Sequence, residues 1–102
     1  MIATSLHQLA NISYLRGQYE EAENLFKKSL KIRKRIGDYK GLLVNFGSLA
    51  NLEEKRNNFP NAVMYYKKAL KLSQKIGLTK YEQRAKDCLR RVAFLSQSRK
   101  ET

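Results

Sequence analysis

Two asparagines, Asn11 and Asn51, are the clearest candidates for binding chemistry in this sequence. They lie forty residues apart, and each follows a Leu-Ala pair. A carboxamide carries donors and an acceptor on one side chain, so such a pair could bracket the peptide bonds of a bound strand. The alternative interpretation is that both are solvent-exposed helix residues that a sequence duplication has copied.

Residues suited to catalysis or metal binding are too sparse to form a site. His7 is the only histidine and Cys88 the only cysteine, so neither a Cys-His pair nor a metal cluster is easily built. The glutamates cluster near helix ends instead of at acid–base spacing, and the five glycines are too scattered for a phosphate-binding loop. We therefore expect a protein that is not an enzyme and uses no cofactor or metal.

Basic residues dominate the charge. The chain has 21 lysines and arginines against 9 acidic residues, for a net charge of +12, which predicts an acidic partner: a peptide, a nucleic acid or an anionic membrane surface. Several basic positions recur after forty residues: Lys27/Lys67, Lys28/Lys68, Lys31/Lys71 and Arg35/Lys75. Stacked as a ladder on the convex side of an array, they could follow a phosphate backbone, although such a face is more often simply solvated.

These recurring residues belong to an internal repeat. Residues 42–77, moved back by forty positions, lie over the start of the chain, and the offset gives eleven identities within residues 1–37. A fixed period in this range is typical of stacked helical units. The sequence therefore predicts a repeat protein.

Apolar residues recur at helical spacing in five segments, with Gly17, Gly37 and Gly77 as breaks and Pro60 in a first helical turn. The predicted helices cover about 2–16, 19–36, 39–56 and 59–76, followed by one from near Lys80. We expect a single all-α domain, a right-handed superhelical array of unit one (about 2–37), unit two (about 38–77) and a capping helix (about 79–98). The inward stripe predicted for the first helix is Ile2, Leu6, Leu9, Ala10, Ile12 and Leu15.

The compartment follows from what the sequence lacks. A single cysteine excludes an internal disulfide and is consistent with a reducing compartment. The start of the chain does not read as a signal peptide, and no apolar run reaches the roughly 18 residues that a membrane span needs. We expect a cytoplasmic protein.

The repeat resembles the tetratricopeptide repeat, whose signature is W-x2-L-G-x2-Y followed by A-x3-F and P. Unit one matches with Leu6-x2-Leu9-Ala10 and Ala22-x3-Phe26, and unit two with Phe46-x2-Leu49-Ala50 and Ala62-x3-Tyr66. Ser13 and Glu53 depart from the pattern, since the family favours Tyr there, and the closing proline is missing. The forty-residue period is similar to a longer subclass that includes the LGN/Pins-type scaffold proteins.

This resemblance implies a concave groove, lined by the first helix of each unit, that binds peptides. The matching positions are Thr4, His7, Gln8, Asn11, Tyr14, Leu15, Val44, Gly47, Ser48, Asn51, Lys55, Arg84, Asp87, Arg91 and Leu95. Arg84 and Arg91 could receive a carboxylate or phosphate, or could merely solvate the last helix. The function predicted first is a non-catalytic protein-interaction module for an acidic peptide segment.

Two alternatives stay open. One is a basic scaffold that binds nucleic acid through the lysine ladder, and the other is a minimal or fragment array with a mainly structural role. The second has physical support, because such arrays usually need about three repeats. Ile2 and Ile12 form an outer apolar surface that further sequence or a second copy could cover. We therefore expect weak self-association.

Overall fold

Five α-helices joined by short turns make up almost all of residues 2–101, which are the residues that the computed structural model describes; side chains are described for residues 2–97. The helices are α1 Ile2–Leu15, α2 Tyr19–Ile36, α3 Tyr39–Lys55, α4 Phe59–Ile76 and α5 Thr79–Glu101, with no strand among them. Consecutive helices pack on each other, and α3 also touches α5, in an array measuring 45 × 34 × 17 Å. The predicted all-α hairpin-repeat fold is confirmed, and α5 extends beyond its predicted end.

Turn residues fix where the middle helices begin and end. At the start of α3 the Asp38 carboxylate accepts a hydrogen bond from the Gly41 amide at 3.0 Å, and the Asn58 side chain caps α4 in the same way at 3.4 Å. Gly37 and Gly77 follow α2 and α4 with φ of 72° and 74°, a conformation that glycine adopts without a steric penalty. The local sequence thus sets the hairpin lengths.

The core consists of three buried clusters: one at each of two helix–helix joints, and a third of Leu43, Ala69 and Ala85 beside the second joint. The first joint, between α2 and α3, closes around Ala10, Ala22, Phe26, Leu49 and Leu52. The second joint, between α4 and α5, closes around Ala50, Phe59, Ala62, Tyr66 and Val92. The four alanines are fully buried, as expected for residues that let paired helices approach closely.

The inward stripe predicted for α1 is largely wrong. Four of its members are exposed: Ile2 by 72%, Leu9 by 51%, Ile12 by 46% and Leu15 by 82%. The buried residues of α1 are small: Ala3, Ala10 and Ser13. The reason is that α1 packs almost entirely on α2, so only a narrow strip of α1 is buried, and its other apolar residues meet no neighbour among the residues that the structure describes.

Polar side chains that the sequence analysis left unassigned are buried at the first joint. Arg33, Asn45 and Glu53 are exposed by 8%, 0% and 1%. Arg33 donates hydrogen bonds to the Asn45 side-chain oxygen and, at 3.2 Å, to the carbonyl of Gly41. Asn45 in turn donates to the carbonyl of Phe26 at 2.9 Å. These bonds tie α3 to α2 and satisfy the buried side chains of Arg33 and Asn45, whereas Glu53 Oε1 has no hydrogen-bond partner among the described residues.

Candidate functional site

A pocket of about 330 Å³ opens between α3, α4 and α5. We call it the groove pocket. Its lining consists of Leu43, Val44, Gly47, Ser48 and Asn51 from α3, Tyr66 and Ala69 from α4, and Tyr81, Arg84, Ala85 and Cys88 from α5. Arg84 is the one charged residue among them, so the pocket offers an apolar floor with a positive charge at its edge.

Five residues that the sequence predicted as peptide-binding lie together in this lining: Val44, Gly47, Ser48, Asn51 and Arg84. The other seven do not: Thr4, His7, Gln8, Asn11, Tyr14, Lys55 and Arg91. Of the α1 residues, Thr4, Gln8 and Asn11 are exposed on the helix surface. Leu15, Asp87 and Leu95 also lie outside the pocket.

His7 belongs to the packing between α1 and the neighbouring helices. Its ring meets that of Phe26 edge to face, with centroids 5.0 Å apart, and its Nε2 lies 3.5 Å from the Ser48 hydroxyl. Burial, reinforced by the charge of Arg33, lowers the pKa of His7 below its ordinary value of 6.5. The imidazole is therefore neutral at physiological pH.

His7 occupies the position in unit one that corresponds to a residue of the groove pocket lining in unit two. Forty residues later stands Gly47, where an added Cβ would meet nothing within 4 Å. The imidazole fills in unit one the space that Gly47 leaves open in unit two. The same helical frame thus carries an imidazole at this position in unit one and no side chain in unit two.

Tyr66 organises the polar edge of the groove pocket. Its hydroxyl lies 2.8 Å from Asn51 Oδ1 and 3.1 Å from Glu54 Oε1, and it accepts a hydrogen bond from Arg91 Nη2 at 3.2 Å. Burial raises the pKa of Tyr66 far above its ordinary value, and Cys88 and Glu54 raise it further. The hydroxyl therefore stays protonated, with one hydrogen to share between the two oxygens.

The two arginines predicted for an anionic ligand differ in what already binds them. Arg91 Nη2 lies 2.7 Å from Glu54 Oε1, and this hydrogen bond raises the pKa of Arg91. Arg84 instead lies over the ring of Tyr81, 5.8 Å from its centroid, where the cation keeps its charge unneutralised. Arg84 is consequently the stronger anion-binding candidate.

A second pocket of about 380 Å³ lies between α2, α3 and α4. We call it the lysine-rimmed pocket. Its lining consists of Leu30, Lys34, Tyr39, Leu42, Phe46, Lys68, Lys71, Leu72 and Lys75. Among the described side chains, no carboxylate lies within 4.0 Å of any of these four lysines. All eight residues of the predicted ladder are exposed, and Lys27 pairs with Glu23 at 3.4 Å.

The sequence profile of the tetratricopeptide repeat matches residues 1–75. This chain belongs to the tetratricopeptide repeat family. The match spans both hairpins and ends within α4. No curated protein matches the chain. Tetratricopeptide repeats are in general non-catalytic modules for protein–protein interaction.

The repeat period could have identified more of the pocket than the sequence analysis did. The predicted groove residues Arg84 and Arg91 lie forty positions after Val44 and Asn51. The same offset applied to Ser48 gives Cys88, which lines the pocket. Tyr66 is not among the predicted groove residues, because it holds the aromatic position of the A-x3-F motif. In a tetratricopeptide repeat this position faces the core, and only the hydroxyl that distinguishes Tyr66 from Phe26 reaches the groove.

The described part of the tetratricopeptide array contains neither a metal-binding cluster nor a membrane-spanning helix. Over the residues that the structure describes, no group of three or more His, Cys, Asp or Glu side chains could hold a metal ion. Over the same residues, no helix has the length and hydropathy required to cross a bilayer.

Proposed function

We propose that this tetratricopeptide array is a non-catalytic interaction module that binds an acidic peptide segment in the groove pocket. The observation that carries the proposal is the convergence of four polar or small α3 and α5 residues on one apolar cavity with no carboxylate in its lining: Gly47, Ser48, Asn51 and Arg84. The forty-residue period also supports a place in the longer-repeat subclass that LGN/Pins-type scaffolds represent.

Asn51 is the expected contact for the peptide backbone. Its oxygen accepts the Tyr66 hydroxyl at 2.8 Å, which orients the carboxamide and leaves the NH₂ group to donate to a peptide carbonyl. One turn earlier, Gly47 contributes no side chain, so the backbone of a bound strand can approach α3 closely. Together they favour an extended segment over a bulky ligand.

The preference for acidic segments rests on charge. Arg84 adds a fixed cation at the edge of the pocket, and the whole chain carries +12. Such a field attracts an acidic ligand and increases the association rate, an effect that falls with ionic strength. The groove contacts should persist in salt, because they are hydrogen bonds and apolar packing at short range.

Fluorescence anisotropy with labelled acidic and neutral peptides tests this function. Gly47→His, which copies the residue of unit one into unit two, should fill the pocket and abolish binding. Asn51→Ala and Arg84→Gln should each weaken binding by about tenfold, the size expected for one lost hydrogen bond or ion pair. Arg90→Gln, an exposed residue of α5 outside the pocket, is the matched control.

Asn11→Ala measures how far the bound segment extends. A peptide confined to the groove pocket should not respond to it, whereas a longer peptide that continues along α1 should lose affinity. The proposal is wrong if Gly47→His binds as tightly as the unmodified chain while retaining its helicity and melting temperature.

The second candidate is nucleic-acid binding at the lysine-rimmed pocket. The observation that favours it is the group of four lysines without a neighbouring carboxylate: Lys34, Lys68, Lys71 and Lys75. Oligonucleotide affinity should then fall steeply with salt and be lost when these four lysines are changed to Glu. Binding that is absent, or that ignores salt, removes this candidate.

A further inference from the structure

One side of α1 is apolar and has no neighbour within the described chain. We call it the α1 outer face and define it by Ile2, Ser5, Leu9 and Ile12, which share one side of the helix at intervals of three and four residues. Its three large side chains are exposed by 72%, 51% and 46%.

The repeat shows that this face has the composition of a packing surface. Its residues correspond, forty positions later, to Leu42, Asn45, Leu49 and Leu52 of α3. Those residues are exposed by 6% or less, because they pack against α2 across the first joint. The corresponding positions in α1 carry three large apolar residues and one small polar residue, and all four are exposed to solvent.

The α1 outer face is also free of charge. Residues 2–15 contain no Lys, Arg, Asp or Glu, in a chain that carries +12. At the opposite end of the array, Lys86 and Arg90 of α5 stand where unit two has Phe46 and Ala50. Two copies of this chain therefore meet the least electrostatic repulsion if they approach through α1.

We propose that two copies of the chain pair through their α1 outer faces in a two-fold symmetric dimer. A head-to-tail arrangement like that of α3 on α2 is blocked in a second copy, because α3 and α5 already cover the receiving sides of α2 and α4. The uncharged apolar surface that a second copy offers in return is its own α1 outer face. An interface of this kind closes after two copies, so association stops at the dimer.

The dimer is weak, for two physical reasons. A helix of 14 residues is about 21 Å long, so an interface one helix wide falls below the roughly 800 Å² per partner of a stable complex. Basic residues also flank it. In unit two, the pocket that α4 forms with the preceding unit is lined by Lys68, Lys71 and Lys75. The corresponding residues of α2, which lie beside the α1 outer face by the same geometry, are Lys28, Lys31 and Arg35.

Repulsion between these flanking charges gives the dimer a distinctive salt dependence. Salt screens the like charges of the two copies and strengthens apolar pairing. The dimer should therefore tighten as salt is raised, which is the opposite of what an anionic ligand does on a basic surface.

Sedimentation equilibrium from about 10 µM to about 1 mM chain, in low and high salt, tests the proposal over the range of a weak complex. The average mass should rise from 11.9 kDa towards twice that value, and it should do so at lower concentration in high salt. Leu9→Gln with Ile12→Gln should raise the dissociation constant by about tenfold or more, since both lose their buried contacts. These variants are neutral, so they leave the electrostatic repulsion unchanged.

Phe94→Gln is the matched control, because it removes an apolar side chain that is 71% exposed at the other end of the array and should leave the dissociation constant unchanged. Circular dichroism checks that the double variant is folded, and Ile2→Gln gives an independent variant at a site too exposed to unfold the chain. A mass of 11.9 kDa at every concentration overturns the proposal. A dimer that the double variant does not weaken, or growth beyond two copies, overturns it as well.

Discussion

The two joints of the array have the same helical frame and opposite chemistry. The first joint buries Arg33, Asn45 and Glu53, whereas the residues forty positions later are Ser73, Ala85 and Ala93. At the second joint the buried contacts are instead apolar, around Ala69, Ala85 and Val92. Duplication of the backbone therefore fixed the spacing of the helices but left the chemistry of each joint free to diverge.

The different side chains at the two joints explain where the groove pocket lies. At the second joint Ala69 and Ala85 leave space that becomes part of the pocket lining. The equivalent residues of the first joint are Ser29 and Asn45, whose side chains are fully buried and hydrogen-bonded: Ser29 donates to the carbonyl of Ala3 at 2.8 Å. At these positions the first joint is thus a buried, hydrogen-bonded contact, whereas the second joint borders a cavity.

The largest effect should come from breaking the polar joint. Asn45→Leu would leave the buried Arg33 guanidinium and the Phe26 carbonyl each without one hydrogen-bond partner, at a cost of about 3 kcal/mol. Urea unfolding followed by circular dichroism measures it. Ser73→Ala, at the position equivalent to Arg33 in the second joint, should cost less than about 1 kcal/mol. If Asn45→Leu and Ser73→Ala lowered the free energy of unfolding equally, the first joint would not depend on polar contacts more than the second.

Replacing both partners should recover most of that loss. In Arg33→Met with Asn45→Leu no buried charge is left unpaired, so the double variant should be more stable than Asn45→Leu alone by about 2 kcal/mol. The same unfolding experiment completes a double-mutant cycle. If the two losses of stability were additive, the Arg33 and Asn45 side chains would act independently. That result would contradict the direct hydrogen bond between them.

A pair of glycines in α3 gives the next effect. A Cβ at Gly41 would stand 2.7 Å from Arg33 Cδ and closer still to the Asp38 carboxylate, so Gly41→Ala should destabilise the chain by about 1–2 kcal/mol. Gly47 meets nothing, and Gly47→Ala should stabilise by up to about 1 kcal/mol through helix propensity. The melting temperature should fall for Gly41→Ala and rise for Gly47→Ala. If both melting temperatures moved in the same direction, steric crowding at Gly41 would not be the cause.

The buried carboxyl of the first joint should give a pH-dependent effect. Burial, followed by the neighbouring Glu23 carboxyl, raises the pKa of Glu53 above its ordinary value of 4.5. The folded chain thus holds this proton more tightly than the unfolded chain, and ionisation weakens the fold as the pH rises above 4.5. Glu53→Gln should therefore stabilise by about 1 kcal/mol at pH 7 and show no advantage near pH 4.

Glu23 titrates in the opposite sense and serves as the internal check. Its pKa is lowered, first by its hydrogen bond with Glu53 and also by Lys27 and Arg56, so its contribution is present above pH 4.5 and lost on acidification. A glutamine at 53 can still donate to Glu23, which keeps that part of the pH profile. An advantage for Glu53→Gln that is the same at both pH values would exclude a buried ionisation as its cause.

The smallest effect concerns the second joint. Tyr66→Phe restores the aromatic residue that unit one carries as Phe26, and it removes the hydroxyl that links Asn51 to Glu54. The cost should be about 0.5–1 kcal/mol, because Glu54 keeps its bond to Arg91 and Asn51 is exposed to water. A loss as large as that of Asn45→Leu would show that the second joint also depends on a polar network.

The sequence was enough to predict what depends on local contacts and on the repeat. Gly37, Asp38, Pro60 and Gly77 act on their own neighbours in the chain, so the bounds of α2 and α4 were predicted to the residue. Of the four α5 residues predicted for the groove, only Arg84 lines the pocket, whereas Asp87, Arg91 and Leu95 lie outside it.

Only the tertiary structure decided which copies of these positions are open, buried or covered. His7 and Gly47 are equivalent in the repeat, yet one fills its groove and the other leaves it free, because the outcome depends on the helices packed around each. Arg33 and Asn45 look like surface residues until α2 and α3 meet and bury both. The pattern predicts that Ile2, Leu9 and Ile12 belong to the core, but within the described part of the chain no neighbour covers them. Periodicity reports that a face is apolar, whereas burial depends on which element lies opposite that face.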